Sequence, residues 1–293
     1  MQEDTGIEIV RPQMRDILRS DSCLQRVAHG FRFVEGPVWW KEKAGLVFSD
    51  IPADTMYLLS PDGRCTVFRS PSNHANGNTV DTTGCLLTCE HAARRVTATC
   101  PDGRIETVAS TYRGKRLNSP NDIVVKSDGT IWFTDPPYGI KPQMREQEAN
   151  NLFRLDPRTT EPVAVVSDCS MPNGLCFSPD EKFLYLADSD KTIHHVLRFA
   201  VAADNALLQK TIFTVIEAGV PDGIRCDAEG RLYVTSAEGV CVFSPDGMLL
   251  GKLRTPKVAA NCAFGGEDAC TLFITATDAV WAVRLAVQGA VWR

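Results

Sequence analysis

The chain has 293 residues, 44% hydrophobic and 23% charged, the balance of a globular protein with a large apolar interior. Its 31 basic and 36 acidic residues leave a formal charge of −5, the wrong sign for a nucleic-acid partner. No apolar run approaches the ~18 residues of a membrane span. Glu3, Asp4, Arg11, Arg15, Asp16 and Arg19 leave the first twenty residues without the apolar stretch of a signal peptide, so the expected location is cytoplasmic.

In chain order, residues 1–24 read as an N-terminal extension of a single domain that occupies 1–293, with helical character at 11–20. Residues 25–33 are expected to supply an outer strand. Short β runs then dominate, at 45–49, 55–59, 85–89, 130–134, 183–187, 231–235 and 271–275. Between them stand the turns Pro61-Asp62-Gly63, Pro101-Asp102-Gly103 and Pro245-Asp246-Gly247, with others at Asp128-Gly129, Pro179-Asp180 and Glu229-Gly230. The polar insert 141–150, the other stretch with helical character, interrupts a strand pair and reads as a surface loop. The eleven cysteines contain no Cys-x-x-Cys pair and several lie inside β runs, so they read as reduced thiols acting as small hydrophobes.

An internal repeat selects among the all-β architectures. A polar residue opens an apolar run six times: Glu35, Asn76, Asn121, Asn173, Asp222 and Asn261. Seven residues after each comes a turn position, and a second β run follows. The openers recur every 39 to 52 residues, the length of one four-stranded propeller blade, which predicts a six-bladed β-propeller around a central channel. In that fold the innermost strands line the channel, so the six openers form a ring of oxygen acceptors at one mouth. A ring of carboxylates and amides without His or Cys suits a hard divalent cation, calcium first, then magnesium or manganese. Asn-Gly and Asp-Gly are also common turn formers, which accounts for Gly36, Gly77, Gly174 and Gly223. It does not account for Glu35 or for a polar opener in all six units.

Glu35-Gly36-Pro37-Val38-Trp39, Asn118-Ser119-Pro120-Asn121-Asp122, Pro172-Asn173-Gly174-Leu175 and Pro221-Asp222-Gly223-Ile224, in that order, resemble the senescence marker protein, gluconolactonase and luciferin-regenerating enzyme family, which includes regucalcin. The stretch Phe133-Thr134-Asp135-Pro136-Pro137-Tyr138-Gly139 resembles its bacterial gluconolactonase branch, as does Asn76-Gly77-Asn78-Thr79. The resemblance runs from about Gly30 to about Ala276. It implies a six-bladed propeller holding one divalent cation, zinc included among the possibilities, and hydrolysis of a small-molecule lactone. It matches Glu35, Asn173 and Asp222 to metal ligands, Asn121 to a residue contacting metal or substrate, and Asp222 to the general acid/base. Asn76 and Asn118 join Asn121 as expected substrate contacts. Regucalcin-type members carry a sugar-holding arginine where this chain has Ser119, so their sugar preference does not transfer.

The other chemistry-bearing residues are weaker candidates. No Gly-x-Ser-x-Gly nucleophile elbow is present, and the five histidines lack metal-ligand spacing. His74 and His91 fall near the mouth of the second blade, where packing is the simpler role. Arg94-Arg95 and Lys115-Arg116 read as solvated pairs. Trp39-Trp40 and Trp132-Phe133 should each split one ring inward and one outward. The leading function is a metal-dependent sugar lactonase. The alternatives are a non-catalytic calcium-binding propeller and a related propeller hydrolase of aryl esters or organophosphates.

Overall fold

The computed structural model describes residues 6–159 and 161–290. Six antiparallel sheets follow one another along the chain. Blade one is Val34–Trp40, Gly45–Asp50, Thr55–Leu59 and Cys65–Arg69; blade two runs from Ala75–Val80 through Leu86–Glu90 and Arg95–Thr99 to Ile105–Ala109. Blades three, four and five begin at Ile123–Val125, Pro172–Phe177 and Ile224–Cys226. Blade six joins Ala259–Gly265, Thr271–Ala276 and Ala279–Arg284 to Gln25–His29 from the chain's other end, which closes the circle as the sequence predicts. The first strands neighbour one another in a closed circuit, so their leading residues meet at the axis. The fold is the six-bladed β-propeller.

Each residue seven after an opener falls in the turn between the first and second strands of its blade. This constant spacing holds the openers at one level.

The N-terminal segment is more integrated than an extension. Ile7–Ile9 pairs with Leu249–Leu253 as a fifth strand of blade five. The stretch expected to be helical forms only a 3-10 turn, Pro12–Asp16. Met14 and Ile17, three residues apart, are both fully buried between blades five and six, and Leu18 then bridges Leu285 in extended geometry, which stops the helix. The insert at 141–150 is a loop with one 3-10 turn, Pro142–Met144.

Aromatic side chains fill the seams between blades. Trp132 meets Phe177 edge-on, Trp39 stacks on Phe273, and Tyr233 meets Phe264 edge-on. Trp40 is buried and Trp39 half-buried, in keeping with alternation. Trp132 and Phe133 also alternate between faces, but neither ring is outward: both are fully buried, because each face of a blade is covered by a neighbouring blade. Among the described residues no helix is long and apolar enough to cross a membrane.

Candidate active site

The structure brings all six openers into two hydrogen-bonded runs at the head of the channel, and each run ends on a carboxylate. Asn76 Nδ2 donates to Asn121 Oδ1 at 2.6 Å, and Asn121 Nδ2 donates to Asn173 Oδ1 at 2.6 Å. Asn173 in turn hydrogen-bonds Asp222. On the other side of the ring Asn261 hydrogen-bonds Glu35, whose Oε2 also accepts from the Gly36 amide at 2.7 Å. Five of the six side chains are buried; Asp222 alone keeps a solvent-facing portion.

The glycines after the openers have a role the turn reading does not capture. Gly77, Gly174 and Gly223 have ordinary negative φ, and what they supply is space between blades. A Cβ on Gly36 would stand 2.0 Å from Asn76 O, one on Gly77 2.4 Å from Asn121 O, and one on Gly174 2.2 Å from Asp222 O. Each glycine lets the next blade's opener press its backbone against it. Gly36 also has φ +53°, which favours glycine directly. Hydroxyls on the second strands fasten three joints between blades: Ser49 donates to Asn76 O, Thr134 to Asn173 O and Thr235 to Ala260 O, while Thr275 donates to Asn261 O within blade six.

Carboxylates at the ends of second strands set the approach to three openers. Asp50 accepts from the amides of Arg32 and Phe33 before Glu35. Asp135 accepts from the Asn118 amide before Asn121, and Asp188 from Ser170 and Met171 before Asn173. The sequence signal was available, since each aspartate falls 14 or 15 residues after its opener.

Burial and mutual repulsion dominate the electrostatics. Burial pushes Glu35 up to about 7, helped by the negative charge of Asp122. Asp222 is pushed well above the carboxylate range by its depth in the ring and by the charges of Glu35 and Asp122. Asp122 and Arg225 are the charged neighbours of the ring that the sequence reading missed. Arg225 bridges blades, with Nη1 at 3.4 Å from Asp122 Oδ2 and donating to Ile224 O at 2.7 Å. Nothing in the opener pattern marks either residue, because both fall one or more positions beyond it.

The remaining sequence candidates are placed as follows. His91 is buried against the ring, where Asn76 Nδ2 donates to its Nε2 at 3.2 Å. Burial brings its pKa down to about 4, so the imidazole is neutral at neutral pH. His74 is exposed and tied through Nδ1 to Ile51 O at 2.7 Å. Asn118 does not join the ring. It is fully buried behind it, with Nδ2 donating to Asp135 O and Ala149 O. Arg94 is not solvated: 2% exposed, it donates to Leu117 O, Asn118 O and Met144 O and pairs with Glu146. At the far end of the channel is a cavity of about 620 Å³ whose lining includes Asn78, Val124, Cys176, Arg225 and Ala263.

Among the described residues no three Asp, Glu, His or Cys side chains gather as a metal cluster, and the ring itself offers two carboxylates and four amide oxygens. That set fits a hard divalent cation. Glu35 and Asp222 repel one another in a site where Arg225 is already paired with Asp122, and a cation would relieve both.

A family model, the SMP-30/Gluconolactonase/LRE-like region, matches residues 33–278. The chain belongs to that family. It is 32% identical to a gluconolactonase of Zymomonas mobilis over 95% of this chain and 85% of the relative. A 6-deoxy-6-sulfogluconolactonase of Pseudomonas putida is 29% identical over 83% of this chain and 82% of its own. Among solved structures, XC5397 from Xanthomonas campestris, described as a gluconolactonase, superposes with a TM-score of 0.90 at 36% identity, covering 95% of this chain and 94% of the other. The calcium-binding protein regucalcin of Agrobacterium tumefaciens has a TM-score of 0.74 at 21% identity, with 90% and 94% covered, a likeness of fold.

Proposed function

We propose that this protein opens sugar lactones by metal-dependent hydrolysis, as a gluconolactonase-like enzyme. The observation that carries the reading is the opposed pair Glu35 and Asp222 within a ring of amides, with Asp222 the least buried member of the ring. Relatives matched along most of their length include a gluconolactonase and a 6-deoxy-6-sulfogluconolactonase.

Glu35, Asn173 and Asp222 would hold the cation, with Asn121 beside them, and calcium is the first choice for this all-oxygen set. When bound it supplies the positive charge that polarises the lactone carbonyl. Asp222 acts as general base. It takes a proton from a water whose oxygen bonds to the carbonyl carbon. The ring C–O bond then breaks, and the departing oxygen is protonated to leave a hydroxy acid. Asn173 steadies Asp222 through their hydrogen bond. Asn121 is the amide placed to contact substrate oxygens. Asn76 donates to both Asn121 and His91, so it works by orienting Asn121. Asn118 holds the loop that delivers Asn121.

The test is a substrate panel of aldonolactones, aliphatic lactones, aryl esters and a phosphotriester, with and without chelator. Hydrolysis of aldonolactones that chelator abolishes and calcium restores supports the reading. A calcium-dependent rise in melting temperature with no hydrolysis of any substrate would establish the binding propeller instead.

A further inference from the structure

One side chain at the mouth above the ring has two ends in opposite surroundings. The hydroxyl of Tyr138 is turned toward the ring. Asn173 Nδ2 approaches it at 3.5 Å, and it hydrogen-bonds Ser189, whose own hydroxyl donates to Pro221 O, next to Asp222. The residue nonetheless remains 43% exposed, so the aromatic ring stands open to solvent while its tip is pinned. Tyr138 belongs to the blade-three loop yet makes these contacts on blade four, so it reaches across the Asn173–Asp222 sector of the ring.

The loop that carries it is fixed at two points. Ser119, fully buried, donates through Oγ to Pro136 O at 2.7 Å and accepts from the Gly139 amide at 2.8 Å, bracketing Pro137 and Tyr138. Gly139 lies flat on His91: a Cβ there would come within 2.5 Å of His91 Cβ. His91 is itself bonded to Asn76 of the ring. The placement of Tyr138 is therefore geared to the ring through Ser119 and His91.

We propose that the exposed face of Tyr138 is the specificity wall of the substrate mouth, packing against the C–H face of a hydroxylated lactone seated over Asn173 and Asp222. Ser119 is its positioning residue. An aromatic ring offers a large, stiff apolar surface, and a sugar lactone offers a face of C–H groups between its hydroxyls. Pinning the phenol tip removes the rotational freedom that binding would otherwise have to freeze. This inference rests on the lactonase reading for its substrate class.

The experiment combines steady-state kinetics on an aldonolactone with proton NMR of the bound aldonate, the open-chain product. In the wild type, aldonate C–H protons should shift upfield through the ring current of Tyr138. Tyr138→Ala should lose that shift and raise KM about tenfold while kcat stays within about threefold. Tyr138→Phe keeps the ring and should recover most of both effects. Ser119→Ala should raise KM in the same direction, by less. A Tyr138→Ala enzyme with unchanged KM and unchanged aldonate shifts overturns the wall and leaves the lactonase reading intact. A wild type that binds aldonate with the upfield shift but hydrolyses no lactone overturns the lactonase reading and keeps the wall. Absence of both binding and hydrolysis overturns both. Should Tyr138→Ala fail to fold, Tyr138→Phe against Ser119→Ala decides: equal KM in the two variants and the wild type refutes the proposal.

Discussion

The substitution Gly174→Ala tests whether close contact between blades sets the geometry of the ring. Gly174 has an ordinary φ, so alanine meets no backbone strain there and the whole effect is steric. Its Cβ would stand 2.2 Å from Asp222 O and 2.7 Å from the Gly223 α-carbon. Ordinary contact begins near 3.4 Å, so blades four and five must part by about 1 Å at this level. The obstructing atoms are backbone and cannot swing aside. Overpacking of this kind costs about 1–3 kcal/mol, which a large propeller survives. The parting falls between Asn173 and Asp222, the proposed ligand and the proposed base. A misplacement of about 1 Å between reacting groups costs about 100-fold in rate. The assay is aldonolactone hydrolysis at saturating calcium, corrected for spontaneous opening, alongside a thermal melt. Gly63→Ala is the control, because nothing lies within 4 Å of the added methyl while φ +83° still costs stability. A folded Gly174→Ala enzyme within about threefold of wild-type turnover would refute the argument.

Asp222→Asn keeps an oxygen for the metal and removes the proton acceptor, so turnover should fall by about 10²–10⁴-fold with metal still bound at saturation, read by lactone assay and elemental analysis. Asp135 is pushed up to about 7 by burial, so the folded protein holds its proton where the unfolded chain has released it. That contribution is complete below about pH 4 and is lost as pH rises through about 7. Asp135→Asn should therefore flatten the fall in melting temperature between pH 5 and 8; an unchanged slope would remove Asp135 as the cause. Arg94→Ala leaves the buried carbonyls of Leu117 and Asn118 unpaired and should cost about 3 kcal/mol in denaturant unfolding, weakening aldonolactone hydrolysis through the Asn118–Asn121 loop. A loss below about 1 kcal/mol would return Arg94 to the solvated role expected from sequence.

The six openers and their turn positions were legible because a propeller repeats one covalent spacing. A strand, a turn and a second strand occupy a fixed number of residues, so a polar position recurring at that spacing must return to the same level of the channel. The turns at Asp128, Asp180 and Glu229 and the closing strand Gln25–His29 follow from that local rule. Residues whose role depends on a neighbouring blade were not legible. Gly174 reads as half of an Asn-Gly turn until Asp222 O is seen against it. Arg94 reads as a surface charge until the chain folds four carbonyls onto its guanidinium. Trp132 and Phe133 obey strand alternation, yet both are interior because the neighbouring blades cover both faces of their sheet. Asp122, Arg225 and Tyr138 act across blades. Sequence by itself determined the fold, the blade register and the polar ring, since these depend on periodicity within each repeat. Tertiary structure alone decided which polar groups are buried, which carboxylates oppose one another and which ring member is least buried, because those depend on the separation of groups that lie far apart along the chain.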